Sequence, residues 1–175
     1  EGHAAFLILE RARELVAAGQ TFEQALEKTR GQNVFTTHTP VAAGNDEFPL
    51  WLIEKYLSAI WPQLSLTREQ FFDIARHQMP QGEMFGMGVL ALRNAEGRNG
   101  VSELHGQVAR KMWNFLWQDK AEADVPITHV TNGVHVSNWM ARRLIHLFKE
   151  YIGEDWLDHL DEPEIWENID DVPDD

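Results

Sequence analysis

Apolar residues recur at helical spacing through most of the chain. Phe6, Leu7, Leu9, Leu15 and Val16 spread over more than one face of residues 4–18, which predicts a buried helix with Gly19 as its stop. Thr21-Phe22-Glu23-Gln24 has the form of a capping box, in which a threonine hydroxyl and a glutamine amide each satisfy a backbone N–H of the other's residue. It opens a second helix carrying Phe22, Ala25, Leu26 and Thr29 on one side and ending at Gly31. Pro49 fits the first position of a third helix, followed by Trp51, Leu52, Ile53, Tyr56 and Leu57. Thr67-Arg68-Glu69-Gln70 repeats the capping box and leads into Phe71, Phe72, Ile74 and Ala75. Residues 86–92 are small and apolar, as a tightly packed helix requires. Ser102 is a good N-cap for a helix to about Trp117, and Ser137 caps a last one carrying Met140, Leu144, Ile145, Leu147 and Phe148.

Two segments break this rhythm. Residues 33–37 and 125–131 are short and β-branched and read as strands, while 40–46 is a loop and 97–100 a turn. Neither strand has an obvious partner here, which suggests that the sheet they belong to lies outside this chain. The expected fold is predominantly α-helical with a few short strands.

Composition narrows the function. A net charge of −13 argues against nucleic acid, whose phosphates need a basic footprint, and against an anionic membrane surface. No apolar run approaches the length of a membrane span. With no cysteine there is no disulfide framework, thiolate metal site or thiol nucleophile. No Lys or Arg follows Lys149, and the acidic stretch 154–175 reads as a solvated face or a loose tail. The chain opens on Glu1-Gly2-His3 with neither an initiator Met nor a basic leader, the expectation for a piece of a longer protein.

Three polar clusters stand out: Thr36-Thr37-His38-Thr39-Pro40 at the end of the first strand, residues 99–106 (Asn-Gly-Val-Ser-Glu-Leu-His-Gly) at a helix start, and residues 129–135 (His-Val-Thr-Asn-Gly-Val-His) at the end of the second strand. Clefts of α/β proteins collect at such places, glycine lets the backbone approach a ligand, and neutral His and Asn amides both donate and accept, as sugar hydroxyls do. Taken singly, each has a blander reading: a structural histidine at His38, a simple turn at Asn132-Gly133, a packed histidine at His105. A metal-dependent hydrolase is a weak competitor, because no His-Glu-x-x-His exists and His129 with His135 lacks a third ligand at a recognisable spacing. There is no Gly-x-Ser-x-Gly elbow and no phosphate-cradling glycine loop; Gly82, Gly86 and Gly88 do not make Gly-x-Gly-x-x-Gly.

In this order and spacing, the three clusters, with Trp139 downstream and Glu1-Gly2-His3-Ala4-Ala5-Phe6 upstream, resemble the α-glucan phosphorylase family, and the loop 40–48 is more similar to its bacterial and archaeal members. The resemblance implies a cytoplasmic, pyridoxal 5′-phosphate-dependent glycosyltransferase of carbohydrate metabolism with two Rossmann-like domains. Such an enzyme cleaves terminal α-1,4-linked glucose from α-glucan with inorganic phosphate, giving glucose 1-phosphate with retention. It implies that His38 holds the glucose 6-hydroxyl, that Asn132 binds the 4- and 6-hydroxyls near the domain junction, and that Val101 lines the same pocket. His3, His105 and Gly133 would lie in or near the cleft. Residues 1–131 would be the C-terminal part of the glucan-binding domain, and 132–175 the junction and acidic tail leading to the cofactor domain. The family's cofactor lysine and its phosphate-holding Arg and Lys would lie beyond Asp175, so the chain alone is expected to be inactive and, with an uncovered apolar surface, to self-associate. The alternative is an independent acidic helical binding module, which explains the composition but not the ordered clusters.

Overall fold

The computed structural model describes residues 2–173. Two compact units divide it, one ending at Thr131 and the other beginning at Asn132.

The first unit opens with a 3-10 turn (Gly2–Ala5) that runs into α1 (Phe6–Ala17). Gly19, at φ +94°, ends the helix in a conformation that suits a residue without Cβ. In α2 (Phe22–Arg30) the capping box forms as expected: the Gln24 N–H donates to Thr21 Oγ1 at 3.3 Å and the Thr21 N–H to Gln24 Oε1 at 3.1 Å. Next come β1 (Val34–Thr36) and β2 (Glu47–Pro49), then α3 (Leu50–Leu57) and α4 (Ile60–Gln63). Pro49 therefore caps α3 from an extended strand position and is not its first helical residue. The second capping box, at Thr67, starts α5 (Arg68–Asp73). Strands β3 (Arg76–Met79) and β4 (Gly82–Gly86) form a hairpin, α6 (Met87–Arg93) follows, and then β5 (Gly97–Gly100), α7 (Glu103–Trp113) and β6 (Thr128–His129).

Two sheets result. One is parallel, in the order β1-β5-β6; the other is antiparallel, in the order β2-β4-β3. The first corrects two expectations. Residues 97–100 are a strand, not a turn, and they pair the two supposed orphans: Val34 with Gly97, Thr36 with Asn99, Asn99 with Thr128 and Gly100 with His129. Gly-Arg-Asn-Gly carries little β-propensity of its own, so tertiary pairing decides its conformation. The second sheet is held across its middle by Glu47 and His77, whose side chains meet at 2.7 Å with only 14% and 6% exposure. They pass over Gly86, where a Cβ would lie 2.8 Å from the Glu47 carboxylate and 2.9 Å from His77 Nε2.

Burial explains why these elements hold. Phe71, Phe72, Phe85, Leu64 and Leu90 are fully buried in one cluster with α1. Val89, Leu92, Ala109, Trp113, Val125 and Ile127 form another. Helix α6 contributes to both, with Met87, Leu90 and Ala91 in the first and Val89 and Leu92 in the second. Burying a residue such as Phe71 is worth about 1.5–3 kcal/mol, enough to offset the short strands' weak local preference.

The second unit contains α8 (Val136–Trp139) and α9 (Arg142–Tyr151). Ser137 lies inside α8, and Ala141 is the N-cap of α9, so the expected Ser137 cap is not made. Of the two readings of the acidic segment, a solvated face or a loose tail, residues 154–173 follow the first: most are exposed, yet they are folded. The segment folds through 3-10 turns that bury Trp156 completely, edge-on to Phe148 at 5.2 Å and to Trp166 at 6.0 Å. His159 accompanies it beside Glu162 and Asp155, and the hydrogen bond to Glu162 raises its pKa above the usual histidine value.

Candidate functional site

Because β1, β5 and β6 are parallel, their C-terminal ends lie along one edge of the sheet. The three polar clusters leave the sheet at that edge. A backbone ladder continues past the strands: the Thr37 N–H donates to Asn99 O, and the Val130 N–H to Gly100 O, each at 3.0 Å. Side chains lock the same edge. Thr36 Oγ1 donates to Asn99 Oδ1 at 3.0 Å, and Asn99 Nδ2 donates to Gly100 O at 3.1 Å.

Helix α7 starts directly over these strand ends. Ser102, in extended conformation, caps it by accepting the His105 N–H at 3.1 Å. The approach is close because two glycines allow it. A Cβ on Gly100 would lie 2.9 Å from the Gly106 nitrogen and 3.0 Å from His105 Nδ1, and one on Gly106 would lie 3.2 Å from Thr128 O. Arg110, one turn further along, donates to Ile127 O at 3.0 Å and ties the helix to the segment entering β6. A helix N-terminus thus brings its partial positive charge and unpaired N–H groups to the edge where the loops emerge.

The structure brings His38, Val101 and His105 to this one edge. His38 is exposed, Val101 is half-buried just past β5, and His105 is buried in the first turn of α7. His3 is exposed in the opening 3-10 turn. Asn132 and Gly133 are exposed and open the second unit. An exposed imidazole and the backbone N–H groups of a helix start are groups that can hydrogen-bond a hydroxyl.

Sequence reasoning placed Thr39 in the first polar cluster but did not single out Asn45 and Asp46. With Phe35 and three glycines they line a cavity of about 200 Å³ beside the His38 loop. No sequence pattern marks this cavity; its closeness shows only in the structure, where a Cβ on Gly2, Gly44 or Gly88 would collide with a neighbouring side chain. A larger open groove, about 690 Å³, lies among Arg30, Asp73, Arg76, His77, Glu83 and Arg93, and shares no residue with the strand-end clusters.

The arginines of β5 and α7 are already engaged. Arg98 donates to Leu92 O at 2.5 Å and lies 5.4 Å over the Trp117 ring; burial, then the charge of Arg30, lowers its pKa. Arg110 holds Ile127 O. Neither guanidinium is therefore available to a phosphate such as that of pyridoxal phosphate, which needs concentrated positive charge. Among the described residues no group of three or more His, Asp or Glu side chains comes together as a metal site, and no helix is long and apolar enough to cross a membrane.

Residues 1–173 match the family model for carbohydrate phosphorylases. The chain belongs to the carbohydrate phosphorylase family. This phosphorylase chain is 42% identical to a glycogen phosphorylase of Mycobacterium tuberculosis over 97% of its own length, and 35% identical to a maltodextrin phosphorylase of Thermococcus litoralis over 99%. A glycogen phosphorylase of Aquifex aeolicus is 32% identical over 99%. The phosphorylase chain spans only 20–25% of the length of these relatives.

Proposed function

We propose that this chain supplies part of the glucose-binding cleft of an enzyme that phosphorolyses terminal α-1,4 bonds of glycogen or maltodextrin, releasing glucose 1-phosphate with retention of configuration. The observation that carries the reading is the convergence of the His38, Val101 and His105 loops on one end of a parallel sheet. His38 and Asn132 bind sugar hydroxyls, and Val101 forms part of the pocket wall. Each such hydrogen bond contributes about 1–3 kcal/mol, because a buried partner left unpaired costs that much. Residues 1–131 are part of the glucan-binding domain, and 132–175 lead towards the domain that holds pyridoxal phosphate. That cofactor, inorganic phosphate and glucose 1-phosphate are bound with residues of the longer, cytoplasmic enzyme.

Two measurements test this. In the full-length enzyme, Asn132→Ala is expected to lower kcat/KM for maltodextrin roughly ten- to a hundred-fold while leaving thermal melting unchanged, since Asn132 is exposed. Wild-type kinetics in that variant would refute its role. The 175-residue chain alone is expected to release no glucose 1-phosphate from maltodextrin, with or without added pyridoxal phosphate. Stoichiometric turnover by chromatographically clean material would overturn that expectation.

A further inference from the structure

We infer that His105 is a positioning residue for the sugar pocket: its imidazole, held in the Nε2–H tautomer, accepts the Val101 backbone N–H and fixes the turn that presents Val101 to the glucosyl unit. The inference rests on the glucan-phosphorolysing reading above and deepens it at one residue.

The contact is specific in its chemistry. Val101 N donates to His105 Nδ1 at 3.1 Å. A ring nitrogen that accepts a hydrogen bond carries no proton, so the neutral ring bears its hydrogen on Nε2. The backbone is arranged to bring these two groups together. The Ser102 cap starts the helix immediately after Val101, and helical side chains lean towards the N-terminus, which carries the ring back over the residue that precedes the helix. Gly100 leaves room for it, since a Cβ there would lie 3.0 Å from Nδ1.

The ring is also more polar than packing requires. His105 is 8% exposed, and its Nε2 is buried with no hydrogen-bond partner. A leucine or methionine would fill the same space without a buried donor. What an apolar side chain could not supply is the acceptor for Val101. The ring stands where two clusters meet. With Thr36 paired to Asn99, Thr37 falls opposite Gly100, and paired residues of adjacent strands face the same side of a sheet. Thr37 is itself 1% exposed, and the next residue is His38. His105 thus braces the Val101 turn directly, and its ring lies against Gly100, the residue opposite Thr37.

Two polar replacements separate positioning from packing. In His105→Asn the amide oxygen takes the place of Nδ1; in His105→Gln the amide moves out to the place of Nε2 and the acceptor is lost. In full-length enzyme with measured maltodextrin phosphorolysis, His105→Gln is expected to lower kcat roughly ten- to a hundred-fold with KM for maltodextrin changed less than about three-fold, and His105→Asn to remain within about five-fold of wild type. Equal loss in both variants, or no loss in either, would overturn the proposal. Nitrogen-15 NMR of the imidazole in the 175-residue chain gives an independent readout. A protonated Nε2 and an unprotonated Nδ1 are expected, and a protonated Nδ1 in the neutral ring refutes the proposal whatever the kinetics. A wild-type enzyme that releases no glucose 1-phosphate would instead sink the functional reading, with the tautomer still measured on its own.

Discussion

Replacing Gly100 by alanine is expected to destabilise the unit that ends at Thr131 by about 3 kcal/mol, at the upper end of what overpacking usually costs. The added Cβ would meet the Gly106 nitrogen at 2.9 Å and its Cα at 3.1 Å, and both are backbone atoms that no rotamer change can move aside. Retreat of α7 is blocked as well. Gly106 already sits where its own Cβ would lie 3.1 Å from His129 Cβ and 3.2 Å from Thr128 O, and Arg110 ties the helix to Ile127 O. Gly19→Ala makes a useful contrast: nothing lies within 4 Å of its Cβ, so only the strain of φ +94° is felt, about 1 kcal/mol. Urea titration checks both. The midpoint of the Gly100 variant should fall two to three times further than that of the Gly19 variant at unchanged slope. A Gly100→Ala midpoint equal to wild type would show that α7 is not pressed on the strand ends.

Phe71→Ala is expected to cost more, about 3–5 kcal/mol, as truncation of a fully buried aromatic residue does. The Phe71 ring stacks on Phe85 at 5.8 Å with planes 15° apart and lies 5.5 Å from Trp61 and 6.3 Å from Phe72. All of Phe71, Phe72 and Phe85 are at 0% exposure, so the cavity left behind has rigid aromatic walls that close poorly over it. Thermal melting followed by circular dichroism should drop by roughly 10 °C or more. A drop of only a degree or two would mean that α5 does not pack on β4 as described.

How legible the molecule is from its sequence depends on what sets each element's conformation. The helix starts at Thr21 and Thr67 were readable because their signal is local, two reciprocal hydrogen bonds within four residues. Strand β5 was not, because Gly97-Arg98-Asn99-Gly100 owes its extension to β1 and β6 and its glycines to the helix lying on it. The same holds for β3, where polar Arg76, His77 and Gln78 are drawn into a sheet by pairing with β4 and by the Glu47–His77 bridge. At the candidate site the chemistry-bearing loops around His38, Val101 and His105 were identifiable as clusters. Their meeting at one sheet edge required the parallel register, which no local pattern encodes. Trp156 was hidden for a related reason: an acidic neighbourhood masks an aromatic residue whose burial comes from Phe148 and Trp166.

Helix α6 sits in the wall between two apolar clusters and is buried along its length from Met87 to Leu92. Neither cluster can therefore come apart while leaving the other intact, because each would strip one side of a helix that has almost no solvent face to fall back on. The backbone amides of α6 should exchange with deuterium only when the whole unit opens, and damage on the aromatic side should register at the Val101 turn as faster exchange. A unit built this way keeps its strand-end edge stiff by making local fraying as costly as global unfolding.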